Sequence, residues 1–158
     1  MASKKKSVLF ICLGNICRSP MAEAVFLNLL EEKGLKDQWE VDSAALGPWH
    51  IGNGPDKRTM STLKKNGITT YEHRARALCS ADYTHYDVIF GMDEDNMSEL
   101  NDRKPKNSTT RLEKLGDYYP DKQVIINDPY YDSRGDMSGF EEVYRQCVLC
   151  CKNFLEKS

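Results

Sequence analysis

The chain has 158 residues, enough for one domain with a real core, and an ordinary globular composition of 40% hydrophobic and 29% charged residues. Its 22 basic and 24 acidic residues leave a net charge of -2, no electrostatic footprint for nucleic acid or an anionic membrane, so any affinity for phosphate has to be local. The apolar run after Lys4–Lys6 ends at Leu13, too short for a signal segment or for the roughly 18 residues that cross a bilayer, and Ala2 stands where myristoylation needs glycine, so the expected location is the cytoplasm.

Taken in chain order, Val8 to Ile11 is an unbroken apolar run, the pattern of a strand buried on both faces. Gly14 and Asn15 both tolerate left-handed backbone angles, so the chain is expected to turn there. Ser19 reads as a helix N-cap and Pro20 as the first helical residue. Met21, Val25 and Leu29, with Ala22, Phe26 and Leu30, recur at helical spacing. A loop that leaves a strand and feeds a helix N-terminus is a ready anion site, because backbone N–H groups point inward and the dipole favours negative charge.

Two side chains make that loop a candidate for chemistry. Cys12 ends the strand, where helix-terminal potential and a guanidinium favour a thiolate nucleophile. Arg18 closes the loop with a planar fork that matches two oxygens of a phosphate, which lysine does not offer. A lone cysteine in a strand is more often a small buried hydrophobe and a lone arginine a surface charge. The order Cys, Gly-Asn, Arg, Ser, Pro at one strand-to-helix junction favours the chemical reading.

Trp39 to Ala45 reads as the second strand. A Gly- and Pro-rich loop follows from Gly47 to Pro55 and carries Trp49 and His50. Asp56 to Asn66 reads as a helix stopped by Gly67. Tyr86 to Met92 is the third strand, a polar helix runs from Glu94 to Asp102, Thr110 to Leu115 is a short fourth strand, and Phe140 to Glu156 closes the chain as a helix with Phe140, Val143, Cys147 and Phe154 on its apolar face. Strands alternating with helices imply a parallel sheet covered on both sides, an α/β three-layer sandwich whose ligand sits at the carboxyl ends of the strands.

Six cysteines (12, 17, 79, 147, 150 and 151) are even in number, but a cytoplasmic chain with a good core is expected to keep its thiols reduced. A zinc site from Cys12, Cys17, Cys147 and Cys150 is disfavoured because Cys147 and Cys150 fall on a helix's apolar stripe. Asp128-Pro129 alone reads equally as a turn opener or as a source of a general acid.

Cys12-Leu-Gly-Asn-Ile-Cys-Arg-Ser-Pro20, together with Asp128-Pro-Tyr-Tyr131, closely resembles the low-molecular-weight protein tyrosine phosphatases, from about Ser7 to Glu156. Cys-x5-Arg alone is shared with unrelated phosphatases. The internal Gly-Asn, the N-terminal position and the late Asp-Pro-Tyr-Tyr narrow the field. The resemblance implies one domain over residues 1–158, a flavodoxin- or Rossmann-like fold with a central four-stranded parallel sheet, and hydrolysis of phosphotyrosine through a phosphocysteine. It also implies no metal or other cofactor, no nucleic-acid or membrane partner, and a monomer or weak dimer.

Residue by residue, the resemblance assigns Cys12 as nucleophile and Arg18, with the backbone N–H groups of Leu13, Gly14, Asn15, Ile16 and Cys17, as the phosphate cradle. Asp128 is the general acid. Asn15 would brace the loop, Ser19 would donate to the Cys12 thiolate, and Ser43 and His73 would fix Asn15, with Asp93 orienting Arg18. Trp49, Tyr130 and Tyr131 would wall a slot deep enough for a phenyl phosphate, and Tyr130 and Tyr131 resemble sites that tyrosine kinases modify. Cys17 is expected to face Cys12 and to form a reversible disulfide with it under oxidation.

Four rivals are weaker. Thioredoxin-coupled arsenate reductases share the fold and loop but need a resolving cysteine pair in a mobile segment, whereas Cys79 stands alone. Phosphoarginine-hydrolysing relatives carry Thr where this chain has Ile16. A nucleotide site wants Gly-x-Gly-x-x-Gly or a Gly-Lys-Ser/Thr loop, and neither occurs. A catalytically silent phosphotyrosine-binding module has no positive support in the residues.

Overall fold

The computed structural model describes residues 5–131 and 137–158, with the backbone alone at Tyr131. Four strands, β1 (Lys6–Cys12), β2 (Trp39–Ala45), β3 (Val88–Gly91) and β4 (Arg111–Lys114), form one parallel sheet in the order β2-β1-β3-β4. Among the described residues five α-helices accompany them: α1 (Arg18–Glu32), α2 (Lys57–Lys65), α3 (Asp82–His85), α4 (Glu94–Arg103) and α5 (Ser138–Glu156).

Alternation along β1 divides the core. Val8, Phe10 and Cys12 join one apolar cluster with Met21, Val25 and Phe26 of α1 and Cys147, Cys151 and Phe154 of α5. Leu9 and Ile11 face the other way, into a cluster with Ala44, Ile89, Tyr83 and Leu100. A strand covered on both faces has no polar face to offer, which is why its run is continuously apolar. Edge-on aromatic contacts knit the larger cluster: Phe154 lies 4.9 Å from Phe90 and Phe26 lies 5.1 Å from Trp39, centroid to centroid. The three-layer parallel α/β arrangement expected of the sequence is the one observed.

The strand order sets the site. The connection leaving β1 goes to one side of it and β3 lies on the other, so the loops after β1 and β3 diverge and open a crevice at the carboxyl edge. Beyond β2 the ladder continues irregularly, with Leu46 N–H donating to Cys12 O at 3.1 Å and Gly47 N–H to Leu13 O at 2.9 Å. Ile126 N–H donates to Met92 O at 3.2 Å, which ties the approach to Asp128 to the end of β3.

Several element boundaries differ from the sequence reading. α1 starts at Arg18 with Cys17 in the cap position, so Ser19 is inside the first turn and not its cap. Its hydroxyl bonds Cys12 and Asn15 instead, and Pro20 is tolerated because the first turn's N–H groups lack intrahelical partners anyway. Gly14 does not adopt a positive φ; Asn15 alone of the pair does, at 58°. Tyr86, Asp87 and Met92 fall outside β3, and α3, which no apolar period announced, is a single turn. α2 matches its reading closely, with Asp56 as a side-chain cap and Gly67 beyond its end at φ 88°.

Candidate active site

The loop from Cys12 to Arg18 has its carbonyls turned outward. Those of Cys12 and Leu13 accept from the Leu46 and Gly47 N–H groups, and that of Ile16 accepts from Asp56 N–H at 2.8 Å. A trans peptide holds its N–H opposite its C=O, so the N–H groups of Leu13, Gly14 and Cys17 face away from those partners. Ser19 N–H points at Cys12 Sγ at 3.4 Å and Ser19 Oγ lies 3.0 Å from the same sulfur.

Asn15 is the internal brace. Its left-handed backbone is one that Asn adopts more readily than most residues. Arg76 N–H can only donate, and its 3.3 Å approach to Asn15 Oδ1 identifies the oxygen end of the amide. Asn15 Nδ2 then donates to Ser19 Oγ at 2.8 Å and to Ser43 Oγ at 2.9 Å. Ser43 spends its one proton on Glu23 Oε1 at 2.6 Å. With Asn15 occupying a lone pair of Ser19, the Ser19 O–H is directed at Cys12 Sγ. A single polarised line therefore runs Glu23–Ser43–Asn15–Ser19–Cys12, all of it buried.

His73 closes the network. Its Nε2 lies 2.8 Å from Asn15 Oδ1 and 3.2 Å from Ser43 Oγ, so Nε2 carries the proton. Burial pushes Glu23 up to about 7, against opposing hydrogen bonds from Ser43 and Tyr71, and burial lowers His73, against the pull of Asp42. His73 Nδ1 lies 3.4 Å from Glu23 Oε1, and burial disfavours charge on both partners of that approach. The segment that carries His73 is held beside β2 by Ala45 N–H to Arg76 O at 2.7 Å and Leu78 N–H to Ala45 O at 2.9 Å.

Arg18 is buried to 2% exposure. Its Nη1 donates to Asp93 Oδ2 at 2.5 Å and to Ile126 O at 2.9 Å, and Nη2 lies 3.6 Å from Asp128 Oδ2. Asp93 is also the cap of α4, accepting from Asn96 N–H at 2.8 Å, so one carboxylate fixes both a helix start and the guanidinium. Arg18 Nε is buried with no partner among the described residues. Asp128 Oδ1 accepts from Tyr130 N–H at 3.0 Å, the loop turn that Asp-Pro sequences favour.

Over the loop lies a cavity of about 350 Å³. Cys12, Gly14 and Cys17 form its floor, Leu13 and Ile16 its apolar side, and Trp49, His50, Asp128 and Tyr130 its mouth. Trp49 is 66% exposed; its ring covers Gly47 so closely that a Cβ there would meet Trp49 Cζ3 at 1.7 Å. Any side chain at 47 would displace the ring. Burial pushes the Cys17 thiol far up, so it stays protonated.

The structure thus gathers Cys12, Arg18, Asp128, Asn15, Ser19, Ser43, His73, Asp93, Trp49 and Tyr130 around one loop. The Tyr131 side chain lies outside the described residues. Sequence reasoning missed Glu23, His50 and Tyr71. Glu23 carried a signal: it shares a helix face with Ser19, Phe26 and Leu30, where a charged residue interrupts an apolar stripe. Among the described residues the cysteines form no group of metal-ligand spacing. Glu23, Asp42 and His73 do, but the hydrogen bonds above already engage Glu23 and His73.

A thiol lining the cavity and a buried arginine closing the same strand-to-helix loop, at the carboxyl edge of a parallel sheet, fit a phosphatase-type site. The family model described as "Low molecular weight phosphotyrosine protein phosphatase" matches residues 7–158. A pig protein of that name is 50% identical over 154 residues, covering 96% of this chain and 95% of its own length. The crystal structure of Primo-1 superposes with a TM-score of 0.90 at 50% identity, covering 96% of this chain and 97% of that one. The structure titled DARP, drosophila arginine phosphatase, does so at 0.87 and 38% identity, covering 95% and 96%. The chain belongs to the low molecular weight phosphotyrosine protein phosphatase family, and it is a hydrolase.

Proposed function

We propose that the protein hydrolyses phosphotyrosine in proteins, and small aryl phosphates, with Cys12 as nucleophile, Arg18 as phosphate ligand and Asp128 as general acid and base. One observation carries the reading most: Cys12 Sγ sits at the floor of the cavity with two Ser19 donors aimed at it, at 3.0 and 3.4 Å. Donors so placed stabilise a thiolate as reactant and again as leaving group. The buried, unpartnered Nε of Arg18 supports a ligand oxygen as its partner, since buried N–H groups in native proteins are nearly always paired.

In the first step the Cys12 thiolate attacks phosphorus in line with the ester oxygen, the S–P bond forms and the P–O bond to the ring breaks. Asp128, at the mouth of the cavity, gives its proton to the departing phenoxide. In the second step Asp128 takes a proton from water as that water attacks phosphorus. The P–S bond breaks, phosphate leaves, and the Ser19 hydroxyl receives the returning thiolate. The loop N–H groups and Arg18 carry the charge on the non-bridging oxygens throughout, which is most of what phosphoryl transfer asks of a protein.

The depth of the slot supports an aryl ester: Trp49 and Tyr130 at the mouth and Ile16 on the side give ring-sized apolar walls above a reactive floor, where a phosphoserine stem is too short. Ile16, in place of a threonine, also supports a phenolic over a guanidino substrate, although one structural neighbour is named an arginine phosphatase.

The test is hydrolysis of p-nitrophenyl phosphate and of phosphotyrosine, phosphoserine and phosphoarginine peptides with EDTA present. The expected result is turnover of the first two, none by Cys12→Ser, and a kcat loss of about 10²- to 10⁴-fold for Asp128→Ala. Turnover by Cys12→Ser would overturn the thiol assignment, and a preference for phosphoarginine would overturn the substrate.

A further inference from the structure

Arg58 takes no part in that scheme, yet it meets Tyr130 at the mouth of the site. It stands in the first turn of α2. Asp56 grips its guanidinium at two points, Nε to Oδ1 at 3.0 Å and Nη2 to Oδ2 at 3.0 Å, and accepts Arg58 N–H at 2.8 Å as the cap of the same helix. Asp56 in turn donates its own N–H to Ile16 O of the phosphate loop. The plane so fixed has an aromatic ring on each of two neighbours: Phe140 of α5, with its centroid 4.6 Å from Arg58 Cζ, and Tyr130, at 5.5 Å. Tyr130 is two residues from Asp128 and its N–H holds the Asp128 carboxylate.

We propose that Arg58 is the positioning residue of the acid segment: its clamped guanidinium anchors Tyr130, and through Tyr130 the carboxyl of Asp128, in register with the phosphate loop. This rests on the assignment of Asp128 as general acid. A partly exposed ion pair between near neighbours such as Asp56–Arg58 adds little to stability. What it does here is hold a flat cation at fixed tilt so that rings can stack on it, which an arginine plane provides and a lysine ammonium does not. The Asp128 turn is tied upstream to the sheet at Ile126, Asp128 lies 3.6 Å from Arg18 and the Tyr130 ring lies 5.9 Å from that of His50; Arg58 adds a contact from α2. A proton donor displaced by about 1 Å transfers poorly, but only where the leaving oxygen needs its proton.

The experiment therefore varies the leaving group. We expect Arg58→Ala to lower kcat/KM for phenyl phosphate about 10-fold and to leave 2,4-dinitrophenyl phosphate, whose phenoxide departs unprotonated, within about 2-fold. Arg58→Lys, which keeps the charge and loses the plane, should behave like Arg58→Ala, and it carries the measurement if the alanine variant fails to fold. In an Asp128→Ala background, Arg58→Ala should add no further leaving-group dependence. An equal loss for both esters, full rescue by lysine, or additive losses with Asp128→Ala would each overturn the proposal while leaving the acid assignment intact. If Asp128→Ala alone shows no dependence on the leaving group, the acid assignment itself fails and the proposal with it.

Discussion

Cys12 and Cys151 are the same residue in two different solvents. Both are buried, and both belong to the apolar cluster between the sheet and the α1/α5 layer. Cys151 Sγ makes a long contact of 4.0 Å to Ala22 O, and burial drives its thiol far up. Cys12 Sγ faces a cavity and takes two donors from Ser19. Burial alone makes a thiol inert; burial with donors and an opening makes it a nucleophile.

The sharpest way to break that contrast is to exchange sulfur for oxygen at each place. Cys12→Ser should lose all measurable phosphatase turnover. Cys151→Ser should keep it and instead lose stability, by about 1–3 kcal/mol for an uncompensated buried hydroxyl, read as a lower urea midpoint. In native protein, iodoacetamide should modify Cys12 in competition with inorganic phosphate and leave Cys151 unmodified until unfolding. Labelling at Cys151 first would undo the comparison.

A smaller effect is expected one step out. Ser19→Ala removes a hydroxyl donor to the sulfur, worth about 1.5–3 kcal/mol for a bond to a charged group, so kcat should fall roughly 10- to 100-fold. If departure from the phosphocysteine becomes limiting, a burst of p-nitrophenol should precede the steady state.

The smallest is at the far end of the line, in the pH dependence of stability. Between the ordinary carboxylate range and about 7, folded Glu23 holds a proton that the unfolded chain has released. Stability from this group is greatest below that window, falls as pH rises through it and is constant above. Glu23→Gln should flatten that part of the curve of thermal midpoint against pH between 4.5 and 7.5. An unchanged slope in the variant would show that Glu23 does not titrate there.

Much of this was readable in the chain. Val8 to Arg18 writes a strand, a turn and a helix start in consecutive residues, and the same stretch carries thiol, guanidinium and loop amides. The turn chemistry was half right: Asn15 takes the left-handed angle because its side chain is satisfied at four points there, while Gly14 stays on the ordinary side. Ser19 looked like a cap because capping is what serine at a helix start usually does. Another partner, the Cys12 sulfur 3.0 Å away, took the hydroxyl instead.

By itself the sequence determined the Cys12–Arg18 loop and the layered α/β plan, because both rest on short-range order: contiguous hydrogen bonds, residue volumes and the periods of strand and helix. Asp93, Asp128 and His73 were assigned to that loop by the family resemblance and not by any local pattern, and only the tertiary structure decided that Glu23 and Arg58 join them. They lie 5 to 110 residues beyond Arg18 along the chain, and their meeting depends on the strand order β2-β1-β3-β4 and on the docking of α2 and α5. No local pattern encodes such distances; burial of two faces of one sheet does.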